Sequence, residues 1–296
     1  MRKLYSELDR SVNFVINAET GYFEARYVSR PDKDYSIVYL SSQSGCAKAC
    51  RMCHLTATRQ VKSVDATLQD FQQQAETVLQ HWDQLPEALR NEHKRLHFNF
   101  MARGEALACS TILDRGPALL QMLGQLAESR GLEPRFLIST IMPKSFALDE
   151  LGSVWHSRDH YLPEIYYSIY SMDPEFRRRW LPQAMSPDLA LKKLVTWQRL
   201  TGKRPKIHFA FIKGENDSEH SVRGICEALQ RNELDVDVNI VRYNPPDANS
   251  QESDETTVER NAQLFQQLLP KADVRIIPRV GLDVKASCGT FFTVNA

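Results

Sequence analysis

The fold is set by an apolar run and the loop behind it, Ser36-Ile-Val-Tyr-Leu40 and then Cys46-Ala-Lys-Ala-Cys50-Arg-Met-Cys53. The run is typical of a buried strand. Three thiolates as close as Cys46, Cys50 and Cys53 can hold three irons of a [4Fe–4S] cluster and leave the fourth iron without a protein ligand. Structural iron–sulfur sites normally use four cysteines. The spacing therefore predicts a cluster with one open iron, held by these three residues.

An open iron is a binding position, and S-adenosylmethionine is the ligand that chemistry of this kind uses there. Its amino and carboxylate groups chelate the iron, and one electron from the cluster cleaves the sulfonium to a 5′-deoxyadenosyl radical, so the demanding chemistry belongs to the cofactor. The alternatives are a zinc knuckle and three unrelated buried thiols. Zinc usually takes four ligands in paired spacing, and His54 and His81 do not supply a convincing second pair.

Composition and charge are typical of an intracellular globular enzyme. With 296 residues, 42% apolar and 25% charged, the chain can bury one large core. Its six cysteines, three of them clustered, do not resemble a disulfide framework. Apolar runs are far shorter than the roughly 20 residues of a membrane helix, and the start lacks a signal-peptide core. We expect a cytoplasmic monomer with no membrane partner. The net charge of zero argues against a strong general field for nucleic acid and leaves a local basic patch open.

The order of elements predicts an α/β fold. Residues 12–16 and 22–28 flank a turn at 18–21, which predicts an N-terminal β-hairpin. Strand-like runs follow at 36–40, 96–101, 135–140, 164–169, 206–212, 236–241 and 274–277. Helical stretches lie between most of them, at 68–82, 113–129, 187–200, 219–232 and 256–269. About six such units indicate an open or closed (β/α) barrel rather than a dinucleotide-binding sheet. We divide the chain into a hairpin extension, residues 1–33, and a barrel, residues 34–296.

Polar residues follow several of the predicted strands, where barrels of this type carry their chemistry. Gly104 would let the backbone approach a ligand, and Glu105 would accept a hydrogen bond from a cationic amino group. Later strand ends carry the following residues: Ser139, Thr140, Ser168, Tyr170 and Asn244. Each alone is more often a turn or helix cap than a ligand. Their placement beyond successive strands together favours a site.

These motifs together resemble the radical SAM RNA adenine methylases, the RlmN/Cfr family. The likeness starts at Ser41-Ser-Gln-Ser-Gly-Cys46 and ends at Asp283-Val-Lys-Ala-Ser-Cys288-Gly289, and covers roughly residues 20 to 292 in the expected order. It implies a partial (β/α)6 radical SAM barrel. It also implies that Cys288 is a methyl carrier, that Glu24 is a general base, and that six residues surround S-adenosylmethionine: Gly104, Glu105, Ser139, Ser168, Tyr170 and Asn244.

The resemblance further implies a reaction: methylation of an adenine carbon in ribosomal or transfer RNA. The ring carbon is electrophilic, so Cys288 is methylated first, and a radical on that methyl group then adds to the ring and forms a thioether. Release needs a base with a raised pKa, assigned to Glu24, and a second thiol that attacks the Cys288 sulfur. The expected electron donor is a flavodoxin or a ferredoxin. A radical SAM enzyme that modifies a protein, peptide or small molecule without methyl transfer is the alternative.

Three departures from the family bear on that reaction. Tyr39 stands where the family has its resolving cysteine, and a phenol cannot take part in disulfide exchange. Cys109 is a candidate substitute if it faces the same opening, whereas Cys226 has the helical spacing of a core residue. Tyr170 replaces a histidine. Only a hairpin and a short lead-in stand where larger members carry an RNA-binding domain.

Basic residues form three clusters, at 177–179 beside Trp180, at 192–193, and at 203–206. Arginines interleaved with aromatic rings can grip phosphates and stack a base. The same residues can equally form the solvated face of a helix. The sequence leaves both interpretations open.

Overall fold

The computed structural model describes residues 1–30, 33–148, 150–155 and 161–293. A ten-stranded sheet runs through it in sequence order. Its strands are β1 Arg2–Tyr5, β2 Val12–Asn17, β3 Tyr22–Ser29, β4 Tyr35–Tyr39, β5 Arg95–Phe100, β6 Glu133–Thr140, β7 Glu164–Tyr167, β8 Lys206–Ala210, β9 Asp237–Val241 and β10 Val274–Ile277. Strands β1 to β4 pair antiparallel, and β4 to β10 pair parallel.

Helices connect the parallel strands, as the alternation predicts. They are α1 His54–Ala57, α2 Leu68–Asp83, α3 Glu87–Asn91, α4 Ser110–Glu128, α5 Pro174–Trp180, α6 Pro187–Thr201, α7 Glu219–Arg231 and α8 Glu255–Leu268, with 3₁₀ turns at Ala106–Ala108 and Leu151–Val154. The predicted α/β class and N-terminal hairpin are confirmed, and β1 adds a third antiparallel strand. The sheet does not pair β10 with β1 in the described residues, so the barrel is partial. The boundary at residue 33 stays a prediction, since β3 pairs directly with β4.

Local chemistry explains where the helices begin and break. Thr67 caps α2 in a reciprocal capping box with Asp70, which satisfies backbone N–H groups at the helix start. Helix α4 begins three residues before the predicted 113–129 segment and accommodates Pro117 because Arg115, at φ −130°, leaves helical geometry just before it. No helix in the described part of the chain is both long and apolar enough to span a bilayer.

The core lies between the sheet and the outer helices. Leu96, Phe98 and Phe100 of β5 are all buried, as expected of a central parallel strand. Strands β4 to β10 run parallel, so their carboxyl ends lie at one edge of the sheet. The chain after β10 returns towards the N-terminal strands, where the Asn13 amide of β2 donates to the Val284 carbonyl at 3.0 Å. We call residues 281–293 the tail.

Candidate active site at the carboxyl ends of the strands

Cys46, Cys50 and Cys53 lie in the loop after β4 and line one cavity at the carboxyl ends of the strands. Backbone hydrogen bonds shape the loop: the Cys46 N–H donates to Gln60 O at 3.0 Å and the Cys53 N–H to Cys50 O at 3.1 Å. Burial raises the pKa of Cys46 to about 11 and that of Cys53 to about 12. Thiols in this setting stay protonated unless a cation compensates the thiolate, which is what bound iron does. The donor set therefore fits an iron–sulfur cluster.

No three His, Cys, Asp or Glu side chains in the described ranges are placed to hold a single metal ion. A cluster does not require such a convergence, because each of its cysteines binds a different iron. The three thiols share one cavity wall instead, and all three are partly accessible.

Glu105 supplies a buried carboxylate to the same cavity. Its Oε1 accepts from Thr140 Oγ1 at 2.5 Å and from Leu107 N at 3.1 Å, and its Oε2 accepts from Ile141 N at 3.1 Å. Burial raises the pKa of Glu105, against the lowering effect of these donors. Among the described residues no Lys, Arg or His forms an ion pair with it. A carboxylate that is buried without a cation fits the amino group of a bound ligand.

Gly104 is required beside Glu105 for two reasons. Its φ of +91° lies in the left-handed region, and a Cβ there would come within 2.7 Å of Gln43 N and 2.6 Å of Ser42 Oγ. The glycine thus lets the loop after β5 pack on the cysteine loop.

The remaining residues predicted from the family also reach this cavity. Ser139, Ser168, Tyr170 and Asn244 line it, at the ends of β6, β7 and β9. Tyr170 has a φ of +56°, and burial raises its pKa well above the usual value. The side-chain amide of Asn244 binds the tail: Nδ2 donates to Ser287 Oγ at 3.1 Å and to Cys288 O at 2.7 Å. It therefore holds the tail as well as lining the cavity.

Cys288 sits on the tail with its side chain accessible, and it faces the cavity that the cysteine loop lines. The same thiol also borders a narrower space with Tyr39, Met101 and His208. Although the residue is exposed, the protein groups around the thiol desolvate it and raise the pKa of Cys288, and the nearby Arg26 guanidinium opposes that effect. Cys288 thus stands between the two spaces.

That narrower space continues into a polar chamber inside the partial barrel, which we call the inner chamber. Tyr39, Met101 and His208 line both. Four residues of its wall each carry a buried polar atom with no hydrogen-bond partner among the described residues: Arg30 Nε, His97 Nε2, Asn99 Oδ1 and His208 Nδ1. Burial lowers the pKa of both histidines to about 4, so they are neutral. The chamber suits a polar occupant.

Glu24 has a different setting from the one that a base requires. Its side chain is fully buried and paired with two arginines, Nε of Arg103 at 2.6 Å and Nη2 of Arg26 at 3.0 Å. Burial alone would raise the pKa of Glu24, but the two guanidiniums outweigh it and lower the pKa. The raised pKa expected for the base is therefore absent, and the base role stays a prediction.

Two expectations about thiols have different outcomes. Cys226 is buried in the core on α7, as predicted. The expectation that Cys109 faces the opening is wrong, because it is fully buried and its thiol points to the Ala66 carbonyl at 3.9 Å. It follows the 3₁₀ turn after Glu105, and that turn rotates it into the core.

In the basic cluster at 177–179, Arg177 and Arg179 are engaged in contacts within the protein. Arg177 is buried and donates to the carbonyls of Ile169 and Met185 at 2.7 and 2.8 Å. Arg179 pairs with Glu215, which also accepts from Trp180 Nε1 at 3.0 Å. The interpretation of this cluster as a phosphate grip is therefore not supported by its contacts.

Sequence reasoning missed Arg26 and Arg103. Both are almost fully buried and bind the tail and Glu24. The available signals were that Arg26 shares a strand face with Glu24 and that Arg103 stands directly before Gly104.

No protein-family model matches the chain. The chain does match individual proteins. It is 25% identical over 289 residues to a probable dual-specificity RNA methyltransferase RlmN of Synechococcus sp. (strain JA-2-3B'a(2-13)), covering 95% of this chain and 74% of that protein. It is 25% identical over 262 residues to the ribosomal RNA large subunit methyltransferase Cfr of Shouchella clausii (strain KSM-K16), covering 86% and 67%.

The fold matches a crystal structure of a radical SAM methyltransferase from Sphaerobacter thermophilus with a TM-score of 0.78 and 20% identity, over 98% of this chain and 80% of that one. That likeness establishes the α/β radical SAM fold. The sequence matches add to this: over nearly its whole length, at about 25% identity, the chain is similar to the RlmN/Cfr-like radical SAM RNA methyltransferases.

Proposed function

We propose that this protein methylates an adenine carbon of RNA, with Cys288 as the methyl carrier. The observation that supports this most is the position of Cys288, whose accessible thiol lines the same cavity as Cys46, Cys50, Cys53 and Glu105. A thiol has no structural need to project there. Similarity to RNA methyltransferases over nearly the whole chain supports the substrate class.

Each residue has a task in this proposal. Cys46, Cys50 and Cys53 would hold a [4Fe–4S] cluster, and Glu105 would bind the amino group of S-adenosylmethionine. Ser139, Ser168, Tyr170 and Asn244 would complete the walls, and Gly104 would allow close approach. When bound, the cluster and S-adenosylmethionine supply a carbon-centred radical, after one electron from a flavodoxin or ferredoxin.

Cys288 solves the chemical difficulty of the substrate. An adenine ring carbon is electrophilic, so it does not accept a methyl cation. The Cys288 thiol loses its proton to solvent and accepts the methyl group from S-adenosylmethionine, which is a substrate in this step. The sulfonium loses its methyl group and leaves as S-adenosylhomocysteine. Its accessible side chain and the nearby Arg26 charge favour that nucleophilic role.

The test is anaerobic reconstitution with iron, sulfide and S-adenosylmethionine, followed by mass spectrometry of the peptide that contains Cys288. We expect one added methyl group on Cys288, and methyladenosine in transfer or ribosomal RNA transcripts after addition of a reductant. Formation of 5′-deoxyadenosine with Cys288 unmodified would contradict the proposal. We further expect the protein in the cytoplasm, as a monomer.

A radical modification of a small polar molecule is the second candidate, because of the inner chamber. Its polar wall residues, which include Arg30, His97, Asn99 and His208, would bind such a molecule on the far side of Cys288. RNA that remains bound through purification would favour the first candidate. Formation of 5′-deoxyadenosine that responds to small polar compounds and not to RNA would favour the second.

Glu105→Gln is expected to weaken binding of S-adenosylmethionine by about 10- to 100-fold, because a hydrogen bond to a charged partner is lost in a buried setting. Iron content should be unchanged, since Glu105 is not a cluster ligand in this proposal. Calorimetry on the reconstituted protein measures the affinity, and Glu133→Gln, at the exposed start of β6, is the matched control. An affinity equal to that of the wild type would remove Glu105 from the site.

Release of a thioether product is expected to depend on added thiol. All six cysteines lie in the described ranges, and besides the three cluster cysteines only Cys288 lines the cavity. Cys109→Ala should therefore turn over like the wild type, whereas Tyr39→Cys should reduce the requirement for external thiol, since Tyr39 borders the same space as Cys288. Single-turnover and multiple-turnover assays, with and without glutathione, measure this. Trapping of a covalent adduct by Cys109→Ala alone would refute it.

A further inference from the structure

The tail that carries Cys288 is anchored by one buried polar cluster. The cluster, which we call the tail clamp, consists of Asn13, Glu24, Arg26 and Arg103, on β2, β3 and the loop after β5. All four are at most 1% exposed. Glu24 forms ion pairs with Arg26 on its own strand and with Arg103 on the loop after β5, and all four residues also hydrogen-bond to the tail.

The clamp grips the tail on both sides of Cys288. Before it, Asn13 Nδ2 donates to Val284 O at 3.0 Å, and Arg26 Nη1 donates to Ser287 O at 3.4 Å. After it, Arg26 Nη2 donates to Thr290 O at 2.8 Å. Arg103 Nη2 donates to the carbonyl of Phe292 at 2.6 Å, and the Phe292 N–H donates to Glu24 Oε1 at 3.0 Å.

An aromatic ring of the tail covers the same charges. Phe291 is buried, and its ring centroid lies 5.0 Å from the Arg26 guanidinium and 5.9 Å from that of Arg103. These distances are within the range of cation–π attraction. Two buried guanidiniums paired with one carboxylate would be costly without these carbonyl and ring partners. Charge satisfaction in the clamp and docking of the tail therefore support each other.

Glu24 has no acceptor capacity left for a substrate proton. Oε1 accepts from Arg103 and Phe292, and Oε2 accepts from Arg26 and from Asn13 at 2.7 Å. Four bonds occupy about all the lone-pair positions of a carboxylate. Its side chain has no accessible surface, and it does not belong to the wall of the cavity that Cys288 lines.

We propose that Glu24 is a positioning residue, which acts through Arg26 and Arg103 to fix the tail so that Cys288 projects into the cavity. This inference rests on the proposed function of Cys288, and it replaces the base role with a mechanical one. The two roles act at different stages. A clamp affects Cys288 before any RNA binds, whereas a base acts only after a thioether to the RNA has formed.

The experiment therefore measures methyl loading of Cys288 by S-adenosylmethionine in the absence of RNA, by peptide mass spectrometry of the reconstituted holoenzyme. Glu24→Gln keeps the shape and removes the charge that pairs with both arginines. We expect loading to slow by about tenfold or more, with iron content unchanged. Loading at the wild-type rate, with accumulation of a protein–RNA adduct once RNA is added, would assign the base role to Glu24 and overturn the proposal.

A second readout does not depend on activity. Alkylation of Cys288 by iodoacetamide in the holoenzyme, followed by peptide mapping, reports the freedom of the tail. Glu24→Gln should make it severalfold faster, and Glu24→Asp, which keeps the charge, should restore part of the protection. Asp83→Asn is the control, because it breaks an ion pair between Asp83 at the end of the outer helix α2 and Arg130 just after α4. Alkylation of Glu24→Gln at the wild-type rate would overturn the proposal.

A pair of tail variants covers the case in which Glu24→Gln does not fold. Phe292→Pro removes the N–H that Glu24 accepts, while Phe292→Ala keeps it and removes only the ring. The proline variant should show the faster alkylation and slower loading, and the alanine variant much less of either. Equal behaviour of the pair would overturn the proposal. Absence of methyl loading in the wild type would refute the proposed function alone, since alkylation still tests the clamp.

Discussion

Replacement of any one of Cys46, Cys50 or Cys53 by alanine is expected to abolish both the iron content and the formation of 5′-deoxyadenosine. The reason is that three ligands are already one fewer than a structural cluster normally has. With one cysteine replaced, only two of the four irons would have a protein ligand. The remaining thiols also lie in a setting that favours protonation, since burial raises the pKa of Cys46 to about 11.

The measurement is the iron and sulfide content and the visible absorption after anaerobic reconstitution, with 5′-deoxyadenosine quantified by chromatography. Cys226→Ala is the matched control, because Cys226 is a free cysteine in the core on α7 and is remote from the cysteine loop in sequence. It should retain iron and activity, within the cost of a small core cavity. A triple alanine variant of the loop with normal iron content would refute the cluster assignment.

Local patterns were enough to predict the elements and the cysteine loop. The strand runs are continuous apolar segments, and the helices have caps that are visible in the sequence, such as Thr67 with Asp70. Because parallel strands bring their carboxyl ends together, the residues that follow them, Gly104 and Asn244 among them, could be assigned to one site from order alone. The short strand β1 was missed, since its four residues are largely exposed and carry no apolar alternation.

Contacts between distant residues could not be predicted in the same way. The charge state of Glu24 depends on Arg103 and on the Phe292 backbone, which lie 79 and 268 positions away. Likewise, the sequence gives Arg177 as one of three basic neighbours, and only the fold turns it inward onto backbone carbonyls. Residue type and spacing indicate the chemistry that is possible, while burial and pairing decide which residue performs it.

Cys288→Ala is expected to abolish methyl transfer while 5′-deoxyadenosine is still formed from S-adenosylmethionine. The two outcomes separate because, in this proposal, Cys288 holds neither the cluster nor S-adenosylmethionine, although it lines the same cavity as the cluster cysteines and Glu105. Loss of the thiol removes the methyl acceptor, and the radical chemistry continues without a productive target. Mass spectrometry of the protein and analysis of methylated nucleosides measure the first outcome, and chromatography the second.

The wild-type thiol adds a pH signature to that test. Burial raises the pKa of Cys288, so at neutral pH the thiolate is a minor form. Deprotonation increases as pH rises towards that raised pKa, and methyl loading should therefore become faster with pH over the range in which the cluster is stable. Cys288→Ser, which keeps a hydroxyl of similar size, should load no methyl at any pH. If Cys288→Ala methylates RNA at the wild-type rate, Cys288 is not the carrier, and the S-methylcysteine mechanism is wrong for this protein.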